Sequence, residues 1–281
     1  MTTMRALLTI ARLTVNEVVR RRILLAAFIC GVAFIVLFGI GFHFIDADIR
    51  KQAGTSLIQR RMLLNFFLLA GLYAINFLVV MTAVLLPVDT LSGEISSGVM
   101  QTLASKPIRR SEILLGKWLA YVGIVTGYLV AMAGGVLGVG YVLSGVVPPR
   151  IAIGLPLMAL EGMLLTTLSI LGGTRLSTVT NGVVVFGLFG LAFIGSWVEQ
   201  VGAHANNLAA RNVGTVASLI MPSESMWQLA AHHMQPPLMA ELALTPFSPA
   251  SVPSTAMVVW AVGYTLVALV VALQAFRRRP L

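Results

Sequence analysis

Six stretches of this sequence are too long and too poor in charge for the inside of a soluble domain. Residues 23–45, 62–90, 113–143, 151–173, 176–198 and 254–276 each reach the roughly 20 residues a helix needs to cross the hydrocarbon core of a bilayer. Formal charge within them is confined to Asp89 and Lys117 near span ends and to Glu161 in mid-span. Only 10% of the 281 residues are charged, whereas a soluble domain carries about 25%. The expected fold is all-α: a polytopic membrane protein with six transmembrane helices, forming a single transmembrane domain over residues 1–281.

The surplus of basic residues follows from the same topology. A net charge of +9 would suggest nucleic acid in a soluble protein, but lysine and arginine collect on the cytoplasmic side of a membrane protein. With the N-terminus inside, the inner segments hold 13 Lys and Arg residues and the outer ones 6. Both termini are therefore expected in the cytoplasm, and no nucleic-acid partner is implied. Cys30 is the single cysteine, which removes disulfide frameworks and cysteine zinc sites. The first run lacks a clear small-residue cleavage site and reads as a retained span rather than a signal peptide.

Around the spans, three segments have character of their own. Residues 4–22 place Met4, Leu7, Leu8, Ala11, Val15 and Val18 on one helical face and Arg5, Arg12 and Arg20 on the other. That is the pattern of an amphipathic interface helix. The connector after the first span is short and mixed in charge, as a solvated loop would be. Residues 199–253 hold six of the twelve prolines and are expected to form an outer loop with short helices, one of them starting at Glu224 behind a Ser223 cap. The loop is large enough for a lid but not for an independent domain.

No phosphate-binding loop is present, because Gly116-Lys117 lacks both the earlier glycine and the following hydroxyl residue. The chain is not expected to be an enzyme or to bind ATP itself. His232, His233, Met234 and His204 match no defined metal spacing, and adjacent histidines on a helix point about 100° apart. No metal site is assigned. Glu161 is a different matter, since a carboxylate in mid-membrane is costly unless it faces protein or water. It is a candidate for the substrate pathway or a subunit interface, with a structural hydrogen bond as the alternative. Asp89 reads as a helix-end acid near the headgroups.

Between the second and third spans lies "SGEISSGVMQTLASKPIRRSE". Leu91, Ile95, Val99 and Leu103 recur every four residues with Met100 beside them, which predicts a short amphipathic helix over 91–106. It breaks at Lys106-Pro107, because the residue before proline is pushed out of helical geometry. Arg109 and Arg110 follow, with Ser111 as the expected cap of the third span. An ordered helix presented from a membrane bundle suits docking into a groove on a soluble partner.

This segment, "DTLSGEISSGVMQTLASKPIRRSEILLGKW", resembles the one between the second and third spans of ATP-binding-cassette exporter permeases of the type-2 family. The matching places are Asp89, Gly93-Glu94, Gly98, Leu103, Pro107, Arg109 and residues 113–117. "ARLTVNEVVRRRILL" is similar to the family's opening interface helix, and "LIMPSESMWQL" to the segment before its last span. The nearest subgroup includes the permease of the nitrous-oxide-reductase maturation transporter. Val99 departs from the threonine usual after that glycine, and Glu161 matches no family feature.

The resemblance implies a bacterial or archaeal plasma-membrane exporter of two permease chains and two copies of a separate ATPase subunit. ATP and Mg would sit on the ATPase, with no cofactor in this chain. Gly93, Glu94, Ile95, Gly98, Val99, Met100, Leu103, Lys106, Pro107, Arg109 and Arg110 would form the coupling element. Ile95, Met100 and Leu103 would supply its apolar contact. Two other readings keep the membrane fold: a proton-coupled carrier with Glu161 as relay, and a membrane anchor or assembly factor for a partner complex. An intramembrane enzyme lacks any catalytic constellation. The sequence does not reveal the cargo.

Overall fold

The computed structural model describes residues 3–51, 56–96, 109–241, 245, 247–249 and 251–279. Every regular element among the described residues is a helix. In chain order they are α1 (Thr3–Val19), α2 (Arg22–Lys51), α3 (Leu57–Leu85), α4 (Thr90–Ser96), α5 (Arg110–Ser144) and α6 (Ile151–Gly173). After them come α7 (Thr178–His204), α8 (Leu208–Ile220), α9 (Ser223–Met234), α10 (Pro237–Glu241) and α11 (Thr255–Arg278). Six segments are long and apolar enough to cross a membrane: α2, α3 running on into α4, α5, α6, α7 and α11. The protein is an all-α polytopic membrane protein. We refer to the end of the bundle that carries α4 as the elbow end, and to the opposite one as the far end.

The bundle is built around α6, which packs against α3, α5, α7, α9 and α11. More than half of the apolar stretch is buried in α3 and α6, against 6% in α2, which lies at the periphery on α5 and α3. Lipid tails are as apolar as leucine, so helices in a bilayer associate through close packing rather than burial from water. Gly71 shows how. A Cβ there would come within 2.6 Å of the Phe38 ring, so the missing side chain is what lets α3 approach α2.

At the elbow end α1 lies along α5. Ala6, Ile10, Thr14 and Val18, spaced by four, are its buried residues. Ile10 sits over Gly116, where a Cβ would come within 2.8 Å of it. This differs from the expected stripe. Met4 and Leu8 are exposed, so α1 has one side on the bundle and another free for the membrane.

Helix boundaries differ from expectation where polar side chains extend a helix. The third span starts at Arg110 rather than behind Ser111, because the extended Arg109 donates its backbone N–H to the Glu112 carboxylate (3.3 Å). The second starts at Leu57 rather than 62, capped by Ser56 Oγ, which accepts from the Gln59 N–H (3.2 Å). The connector before it is largely helical: α2 reaches Lys51, and buried Asp46 accepts from Arg50 (2.8 Å) and Arg60 (2.7 Å).

The largest departure is in residues 199–253. In place of a solvated lid, α8 and α9 form a hairpin that re-enters the bundle from the far end. Asn206, in the left-handed region at φ 52°, turns the chain after α7, and Asn207 Oδ1 caps α8 by accepting from the Ala209 and Ala210 N–H groups. α8 then runs back along α7, with Gly202 against Ala210 and Gly195 against Ala217. α9 returns against α6, where Gly154 makes room for Met234. Its Gln228 donates to Ser196 of α7 (2.6 Å), eight residues or about 12 Å below the end of that helix. The short helix begins at Ser223 with Pro222 in the cap position, so Ser223 is not its cap. Its hydroxyl is buried without a partner among the described residues.

Candidate functional site

Two polar regions stand out from this apolar bundle, one at the elbow end and one deep in its interior. At the elbow, Leu86–Asp89 form a turn that closes with the Thr90 N–H donating to the Pro87 carbonyl (3.0 Å), and α4 begins. Gly93 leaves room there for the Asp89 carboxylate, whose carbon would lie 2.7 Å from a Cβ. Lys117 of α5, almost fully buried, forms an ion pair with Glu94. Thr90 donates to the Tyr121 hydroxyl, also on α5. On the other side Thr178 of α7 donates to Asp89 (2.8 Å) and bonds Ser92 (2.9 Å). Asn181 donates to the Val88 (3.4 Å) and Ser169 (2.7 Å) carbonyls. α4 is thus held to α5 and α7 at once.

Of the expected coupling residues, Gly93, Glu94 and Ile95 lie in α4. Arg109 and Arg110 open α5, and Arg110 donates to the backbone carbonyls of Arg277 (3.3 Å) and Arg279 (2.6 Å). Gly98, Val99, Met100, Leu103, Lys106 and Pro107 lie outside the described residues.

In the other region the acids are buried, and no described cation pairs with them. Glu161 is fully buried in the middle of α6; one carboxylate oxygen accepts from Asn76 of α3 (3.0 Å) and the other has no partner among the described residues. It is enclosed within a single chain, well away from Asp89 at the elbow. The second acid, Glu224, is 7% exposed in the first turn of α9. No described side chain forms a hydrogen bond or ion pair with it, and burial pushes its carboxyl up to about 8. Around it stand Tyr73, Trp197, Trp227 and Phe247, with Ser196, Gln200 and Gln228 as polar neighbours, lining one cleft. Tyr73 lies 5.2 Å from Trp227 and 5.5 Å from Phe247, ring centre to ring centre. Near the far end His233 is held below the usual imidazole range by burial, then by His232 and Arg150. Among the described residues no three His, Cys, Asp or Glu side chains converge as metal ligands.

This geometry, a six-span bundle with a clamped elbow between the second and third spans, can be set beside known families. The model of the ABC-2 family transporter protein matches residues 8–281. The chain belongs to the ABC-2 transporter family. Membership makes it the membrane permease component of an ABC transporter and implies an ATPase subunit as its partner. A search of curated proteins finds no match.

Sequence reasoning singled out the elbow segment and Glu161 but passed over Glu224 and its aromatic surround. Glu224 stands in a polar run beside Pro222, where an acid looks like an ordinary first-turn residue. One signal was available: Glu224, Trp227 and Gln228 are spaced i, i+3, i+4, which puts an acid, an indole and an amide on one helical face.

Proposed function

We propose that this permease is the membrane subunit of an ATP-driven exporter, coupled to its ATPase through the segment between the second and third spans. The observation that carries the reading is the double attachment of α4. Lys117 and Tyr121 join it to α5, and Thr178 joins it to α7. A push on α4 therefore reaches three spans together, which is what a coupling element must do. Residues 97–108 would complete the docking surface, with Met100 and Leu103 giving apolar contact and Lys106, Arg109 and Arg110 giving charge. Two ATPase subunits would hold ATP and Mg, and two permease chains would enclose the pathway between them. The elbow end, with both termini, would face the cytoplasm of a bacterium or archaeon, a reading supported by the distribution of basic residues. The likeness to the permease of the nitrous-oxide-reductase maturation transporter is a proposal of subgroup, and no cargo follows from it.

The test is a mild-detergent pull-down of the tagged chain from native membranes, with stoichiometry and ATPase activity measured on the eluate. The exporter reading expects one nucleotide-binding subunit per permease, lost when Met100 and Leu103 are both changed to Asp. A folded permease recovered without any ATPase would overturn it. One observation favours a second reading: Glu161 is fully buried with one oxygen unpartnered among the described residues, as in a proton relay. A proton-coupled carrier would transport without an ATPase and stop on Glu161→Gln.

A further inference from the structure

Below the break between α1 and α2 an apolar groove opens on the outside of the bundle. Val19 of α1, Leu24, Leu25 and Phe28 of α2, and Gly127 and Ala131 of α5 line it. Val19, Leu25 and Phe28 are at least half exposed, so the groove faces the membrane rather than the core. It holds about 320 Å³, within the roughly 300–1,000 Å³ usual for ligand sites. Along α5 it runs from Ile124 to Ala131, about 10 Å. Gly127 keeps its floor open, since a Cβ there would meet nothing within 4 Å. The Tyr128 hydroxyl, the one polar side-chain group of the lining, is turned away and donates to the Ala27 carbonyl (2.9 Å).

Three consecutive arginines stand at the mouth of this groove. Arg20, Arg21 and Arg22 fall between Val19 and Leu24. The chain turns there, with the Arg20 and Arg21 N–H groups donating to the Glu17 and Val18 carbonyls (3.1 and 2.9 Å). Arg21 is partly buried and paired with Glu17. Arg20 and Arg22 are exposed and have no ion pair or side-chain hydrogen bond among the described residues. Long basic side chains at a helix end keep their charge at the membrane surface while their stems lie on apolar neighbours.

We propose that this groove seats one anionic phospholipid. Arg20 and Arg22 hold its phosphate, and the upper part of one acyl chain lies along Phe28 and over Gly127. Basic pockets beside transmembrane helices recognise such head groups by charge. A zwitterionic lipid brings its own ammonium to the same place and gains less. A second copy of this chain is a poorer occupant. Two copies related by an axis along the membrane normal would bring their Arg20 and Arg22 side chains together at one level. A larger groove of about 730 Å³ lies further along the same two helices, lined by Gly39 and His43 of α2 and Gly138 and Val142 of α5. Arg50 reaches it at Leu143 but donates to the Leu143 carbonyl (3.2 Å) and to Asp46 (2.8 Å). With that arginine engaged, the larger groove should take lipid tails without choosing a head group.

The assay uses the purified full-length chain in detergent without any ATPase, so its failure and that of the exporter reading are distinguishable. Phosphatidylglycerol and phosphatidylcholine with the same chains are titrated in parallel, and bound lipids are counted by native mass spectrometry. The first phosphatidylglycerol should bind several-fold more tightly than the first phosphatidylcholine, at roughly fivefold for each free arginine. The double variant Arg20→Gln/Arg22→Gln should lose most of that preference. Arg5→Gln/Arg12→Gln should keep it: both arginines are exposed on α1, and Arg12, the nearer, is seven residues or about 10 Å from Val19. Gly127→Leu, which fills the open floor, should weaken the first phosphatidylglycerol severalfold. Equal affinity for the two lipids, or equal loss of preference in the two arginine variants, would overturn the proposal. So would unchanged binding in a folded Gly127→Leu, or a dimer that this variant dissociates while lipid binding stays the same, since a second copy would then cover the groove.

Discussion

The elbow and the cleft contain the same kinds of side chain and treat them in opposite ways. At the elbow Glu94 has Lys117, Asp89 has Thr178, and Arg110 and Arg279 donate to backbone carbonyls at the ends of α11 and α6. In the cleft no described side chain bonds Glu224, and one oxygen of the Glu161 carboxylate has no partner among the described residues. A buried charge that is paired fixes a geometry, because breaking the pair leaves the other half stranded. A buried acid without a partner keeps its proton, fixes nothing and is retained at a cost in stability. The difference separates a mechanical joint from a region whose acids do not hold it together.

Four tests would break or sharpen this contrast. The largest effect belongs to Lys117→Met, which removes the buried half of the pair with Glu94 and should cost about 3–5 kcal/mol in thermal unfolding in detergent. Adding Glu94→Gln should recover much of that loss. The opposite sign is expected in the cleft: Glu224→Met removes a buried acid that has no partner and should raise stability by about 1–3 kcal/mol. If both variants destabilise alike, the two regions do not differ in kind.

The same contrast predicts a pH dependence. Glu224 titrates near 8 in the folded protein, above its ordinary 4.5, because of burial, so the folded state holds a proton that the unfolded chain releases. Its contribution to stability is complete below about pH 4.5 and is lost as the pH rises to about 8. The melting temperature should fall across that window, and Glu224→Gln should flatten the fall. The smallest effect is expected for Asp48→Ala. Its pair with Lys51 is 3.8 Å apart, with both side chains more than 70% exposed, and exposed pairs contribute about 0.2–1 kcal/mol.

How far the sequence disclosed this structure follows from where the information lies. The six spans were legible because a run without charge has few options other than lipid, and Glu161 because it interrupts such a run. The start of α4 was legible from its four-residue apolar spacing. The hairpin of α8 and α9 was not. Its 13 and 12 residues are too few for a span, and the Ser, Glu and His residues of α9 match a solvated helix. What draws them into the bundle is a surface supplied by distant residues, Gly154, Gly195 and Gly202, whose small size is informative only once α6 and α7 are side by side. The face of α1 was misjudged for the same reason. Ile10 is buried because Gly116, more than 100 residues later, leaves a place for it.

The length of the hairpin also bears on how the chain is made. A segment of 12 or 13 residues cannot be threaded through a bilayer as a span, which takes about 20. α8 and α9 must therefore fold back from the far side after α7 has been laid down, and they find their seat only when α6 and α7 already stand together. In the growing chain the cleft is the last part of this half to be completed. A substitution that delays its closure, such as a bulky residue at Gly195 or Gly202, would leave Glu161 open to water or lipid in a newly synthesised protein that already has five of its six spans in place.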